Sequence, residues 1–124
     1  MAQTKIRLAK ATYNFAIDGG AISTITPKSG AVIPNGAQVL RAWTDVTTAM
    51  TSGGSATLAL QIASTTPVVI KAATAYNSAD YTGQDIQRAA TVIGKTDSGG
   101  AITCTIATAA LTAGVVEVFV EYVI

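Results

Sequence analysis

With 124 residues, 49% of them hydrophobic, the chain has apolar surface enough for one domain, 1–124, around one core. Eight Lys and Arg against seven Asp and Glu leave a formal net charge of +1, which argues against nucleic acid as the main partner, a role that needs a concentrated positive field. The lack of any His excludes Ser-His-Asp and Cys-His catalysis and His-dependent zinc sites, and a single Cys excludes an intrachain disulfide.

The opening MAQTKIRLAK has no long apolar run of the signal-peptide kind. No stretch approaches the roughly 18 apolar residues that span a bilayer. The expectation is synthesis in the cytoplasm and no membrane partner. Residues 5–17 read as a strand. Ile6 and Leu8 share one parity and Tyr13, Phe15 and Ile17 the other, so a bulge or bend is expected at residues 9–11. Lys5, Arg7 and Lys10 read as a solvated edge or face.

Asp18, Gly19 and Gly20 signal a turn, 21–26 a short strand, and 31–33 another apolar step. Pro34, Asn35 and Gly36 are a strong turn signal, because Pro presets the first φ and Asn-Gly accepts positive φ. Residues 38–48 alternate, with Leu40, Ala42, Thr44 and Val46 on one face and Val39, Arg41, Trp43 and Asp45 on the other. Trp43 fits either the core or an interface. After a turn at 51–54, residues 55–63 carry Leu58, Leu60 and Ile62 on one face.

Pro67 and the β-branched run tilt 67–76 toward strand and loop. The polar stretch 77–88 reads as a long loop with one helical turn at 84–88, followed by a short strand at 89–94. Asp80 and Asp85 lie in that loop, but their spacing matches no calcium-binding loop, and no metal or cofactor is expected. Two clear strands, 101–108 and 115–124, complete the chain. Cys104 shares parity with Ile102 and Ile106 and reads as core filler.

In the last strand Val116, Val118, Val120 and Tyr122 share one face, and Glu117, Phe119, Glu121 and Val123 the other. Glu117 and Glu121 would lie about 13 Å apart on that face. This exceeds the roughly 5–9.5 Å of a glycosidase carboxylate pair. Phe119 fits either a strand buried on both faces or a contact with a neighbouring subunit. About eight one-faced strands without a long helix predict an all-β, antiparallel two-sheet β-sandwich with less than about a tenth of its residues in helix. Jelly roll is the preferred topology. An immunoglobulin-like order stays open, although the Cys…Trp…Cys framework is missing.

KATYNFAIDGGAISTI, VLRAWTDVTT and ALTAGVVEVFVEYVI together resemble small capsid-associated proteins of tailed bacteriophages, including decoration or cement proteins of β-sandwich or jelly-roll fold. The matching stretches are 10–25, 39–48 and 110–124, about a third of the chain. The resemblance implies a non-enzymatic virion protein on the exterior of an icosahedral shell, often a homotrimer, with the major capsid protein as partner and no cofactor. It makes Arg41, Trp43 and Asp45, with Glu117, Phe119, Glu121 and Tyr122, the candidate fold or contact positions. Residues 64–100 match nothing in that pattern. A carbohydrate-binding module, or a head-fibre or tail-associated protein, is the alternative.

Overall fold

The computed structural model describes residues 5–78, 81, 86–88 and 94–124. In chain order it contains β1 (Arg7–Asn14), α1 (Phe15–Asp18), β2 (Ser23–Ile25), β3 (Ser29–Gly30), β4 (Val32–Ile33), β5 (Gln38–Ser52) and β6 (Thr57–Ile62). There follow β7 (Val68–Ala75), β8 (Ile86–Arg88), β9 (Gly94–Lys95), β10 (Gly100–Ala107) and β11 (Leu111–Val123). One sheet has the order β3-β1-β11-β5-β8, with β9 also on β5. The other has the order β2-β10-β6-β7, with β4 also on β10. Every pairing is antiparallel, so the fold is the expected all-β two-sheet sandwich.

The two inner faces divide the core by size. The first sheet supplies Ala9, Ala11 and Tyr13 from β1, Val39, Ala42 and Val46 from β5, and Val116, Val118 and Val120 from β11. The second supplies Leu58, Leu60 and Ile62 from β6, Ile102 and Ile106 from β10, and Ile70 from β7. Apart from Tyr13, the first sheet's inner side chains are short and face the long Leu and Ile side chains of the second, a pairing that lets layers interdigitate. Cys104 is fully buried among them, and burial pushes its thiol up to about 12, with the charge of Asp18 adding to the shift.

Four local expectations change. The register of β1 on β11 runs unbroken from Arg7 opposite Tyr122 to Asn14 opposite Val115, so there is no bulge at 9–11. The inward residues there are Ala9 and Ala11, whose small size hides their core role, while Ile6 and Leu8 point outward. The strand also stops at Asn14 rather than continuing to residue 17. The Asn14 side chain accepts a hydrogen bond from the Ala16 N–H at 3.0 Å and caps α1. Asp18 accepts from the Asn14 N–H at 3.0 Å, and Gly19, at φ +80°, ends the turn by donating to the Phe15 carbonyl at 2.9 Å.

In β5 the pairing steps from Arg41 opposite Glu121 to Val39 opposite Tyr122, leaving Leu40 as an extra residue. This bulge reverses parity, so Val39 is buried and Leu40 faces out. Ile86–Arg88 form β8 rather than a helical turn, because they pair with β5. The remainder of 84–88, most of 89–94, and Asp80 and Asp85 lie outside the described residues.

Candidate interaction face

Strand β11 lies between β1 and β5, so three strands present alternate residues on the outer face of the first sheet. The register stacks these residues in rungs. Lys10, Phe119 and Trp43 form the middle rung, Leu8, Glu121 and Arg41 the rung on one side, and Thr12, Glu117 and Asp45 the rung on the other. The Trp43 and Phe119 rings are half-buried and stack with centroids 5.5 Å apart and planes 13° apart. The Lys10 ammonium lies 5.6 Å from the Phe119 centroid, and the Arg41 guanidinium 5.7 Å from that of Trp43.

The same cations hold carboxylates. Arg41 donates through Nε to Glu121 Oε2 at 2.6 Å and through Nη2 to Glu121 Oε1 at 3.0 Å. This raises the already high pKa of Arg41, chiefly through the hydrogen bond and then through the charge of Glu121. Lys10 Nζ reaches Glu117 Oε1 at 3.1 Å. Asp45 stands directly opposite Glu117, a like-charge juxtaposition that costs stability on a sheet. Among the described side chains of this face, Lys10 and Arg41 pair with Glu117 and Glu121, and Asp45 has no ion pair.

Six of the seven sequence-derived candidates, Arg41, Trp43, Asp45, Glu117, Phe119 and Glu121, are thus brought together on one face. Tyr122 is not with them. It has the inward parity of Val120 and packs, partly buried, against the core. Lys10 belongs to the constellation although its sequence reads as a solvated edge. Its outward parity is readable, but its place beside Phe119 depends on a pairing about a hundred residues away.

Nothing else described forms a chemical centre. No group of three or more Cys, His, Asp or Glu side chains is placed to hold a metal among the described residues. A cleft lined by Gly54, Ser55, Ala56, Ala75, Tyr76 and Asn77 has about 220 Å³, below the roughly 300–1,000 Å³ of small-molecule sites. At the end of the sandwich, Asp97 accepts from the Ser64 hydroxyl and, at 3.0 Å, from the Thr66 N–H. Those bonds lower its pKa to about 2, the Ser64 bond contributing most. This is a latch between two loops.

No family model matches the chain. No curated protein matches it either. Among solved structures, it resembles a chain in the acidic stable capsid structure of Helicobacter pylori bacteriophage KHP30, with TM-score 0.66 and 14% identity over 98% of this chain and 92% of that one. It resembles a chain of the cyanophage Pam1 capsid asymmetric unit, with TM-score 0.65 and 17% identity over 98% and 86% of the two chains. A third similar chain comes from the capsid of Ralstonia phage GP4, with TM-score 0.59, 16% identity and coverage of 94% and 84%. At such identities the likeness is one of fold.

Proposed function

We propose that this chain is a non-catalytic structural protein of a phage virion. In this reading it binds the exterior of the capsid as a homotrimer, contacts the major capsid protein and braces neighbouring capsomers. The observation that carries the reading is the near full-length fold likeness to chains from three phage capsids. The strand order supports a jelly roll. β1 lies beside β11, β2 beside β10, β5 beside β8, and β6 beside β7, the nested pairing of one long ribbon folded into two sheets.

The outer face of the first sheet supplies the contact. Trp43 and Phe119 are its apolar anchors, and Arg41, Asp45, Glu117 and Glu121 set registry. A trimer engaging three sites gains effective concentration, so a weak single contact gives durable attachment. A sugar platform is disfavoured, because each ring is already stacked on the other and carries a cation. The near-neutral balance of the chain also speaks against direct nucleic-acid contact.

The test is a cryo-electron reconstruction of the source particle with the protein present and depleted. Expected is density on the shell exterior at threefold or quasi-threefold positions, lost on depletion together with resistance to heat. Density confined to the tail, or no association with particles, would overturn the reading.

A further inference from the structure

Among the described residues, nothing pairs with the outer edge of β1 before Lys10. β3 pairs only with Ala11 and Thr12, and the Ala31 N–H donates to the Lys10 carbonyl at 3.1 Å. Beyond Ala31 the chain leaves this sheet, because Val32 and Ile33 pair with Ala101 and Gly100 of β10. In a strand the backbone groups of every second residue face the same side. The Lys10 carbonyl faces the β3 side, so the backbone groups of Leu8 face that side too, and Ile6, which precedes β1, falls on the same parity. Among the described residues no strand pairs with them there.

Two further features sit on this edge. Ile6 and Leu8 are 64% and 58% exposed, on the outer face. Lys5 and Arg7 are exposed, and neither forms an ion pair among the described residues. Sheet edges left with apolar side chains and free backbone groups recruit further strands. A second copy of β1 is a poor occupant. Each copy brings Lys5, Arg7 and Lys10, so an antiparallel pair would set cation against cation.

We propose that the Leu8 edge of β1, continued by the preceding Ile6, is a docking site for an extended acidic segment of another protein, which adds to the sheet as a strand. The backbone of Ile6 and Leu8 supplies the ladder, their side chains the apolar contact, and Lys5 and Arg7 the preference for carboxylates. This does not depend on the capsid reading, since the surface selects its partner by chemistry alone.

The probe is a short synthetic peptide alternating valine with glutamate, compared with its valine-lysine counterpart. Amide hydrogen exchange at Ile6 and Leu8 should slow on adding the glutamate peptide. That peptide should bind about five- to tenfold more tightly than the lysine one, as two exposed ion pairs allow, and the preference should shrink with salt. Joint Lys5→Glu and Arg7→Glu substitution should reverse it. Leu8→Pro should abolish binding without unfolding, because the N–H it removes points away from β11. A melting curve checks that fold, and the charge-reversed variant gives an independent answer should the proline unfold the chain. Absence of protection, equal binding of both peptides, or protection that rises with protein concentration alone would overturn the proposal; the last would make a second copy the occupant.

Discussion

Trp43 and Phe119 face each other across β5 and β11 with a cation near each ring, so the energy of either ring depends on the other. Stability measurements on Trp43→Ala, Phe119→Ala and the double variant should give a coupling of about 0.5–1.5 kcal/mol. Strict additivity would mean that the stack contributes nothing. On the virion reading, the double variant should also fold yet fail to saturate depleted particles in a cosedimentation assay. Two buried groups make a second point at this scale. Tyr13 donates its hydroxyl to the Gly19 carbonyl at 2.6 Å, and burial raises its pKa from 10.0 to about 12. Cys104 is raised from 9.0 to about 12, also chiefly by burial. Above pH 9 the unfolded chain releases these protons first, so it binds fewer protons than the folded one and stability falls as pH rises. Each group can steepen the fall by up to about 1.4 kcal/mol per pH unit. The melting temperature should hold below pH 9 and drop between 9 and 12, with Tyr13→Phe flattening the upper part. A profile level to pH 12 would contradict this.

Among the elements, β11 carries the most constraint. Its pairing with β5 slips around Gly114, which has φ +136°. A Cβ there would meet Met50 Sδ at 2.1 Å and the Met50 backbone at 3.0 Å. Gly114→Ala should cost at least about 1–3 kcal/mol through backbone strain alone, read as a shift in the urea midpoint. A neutral substitution would mean that this bulge relaxes freely. The loop latch gives an acid counterpart. Asp97 is held at about 2 by Ser64 and Thr66, so its contribution is present above the ordinary carboxylate range and lost as pH falls from about 4 to 2. Ser64→Ala should remove part of that acid-limb dependence. Strands whose inward residues are large, such as β6 with Leu58, Leu60 and Ile62, are plain in the sequence because period and size agree. Where they disagree the pattern misleads. Ala9 and Ala11 are core residues that look neutral beside Ile6 and Leu8, and the bulge at Leu40 inverts the two residues before Arg41. The outer-face constellation was half legible. Parity groups Arg41, Trp43 and Asp45, and separately Glu117, Phe119 and Glu121, but only the register shows that the two groups adjoin and that Lys10 completes them.

At the scale of the whole molecule, the proposed homotrimer is open to direct measurement. On the proposed function, sedimentation equilibrium at tens of micromolar should show a trimer. A monomer without particles would count against an intrinsic trimer and leave assembly to the shell. The placement of β11 also governs when the fold can exist at all. It is interior to its sheet, touching β1 on one side and β5 on the other, yet it occupies residues 111–123. While a ribosome still holds those residues, β1 and β5 have no strand between them, and the first sheet cannot close. Contacts this distant along the chain are slow to form and leave apolar faces exposed while they wait. Nascent chains stalled short of residue 111 should therefore be digested readily by protease, and resistance should arise in one step once residue 123 has cleared the exit tunnel. Production of this protein in quantity is then a race between that single late closure and aggregation of the waiting strands.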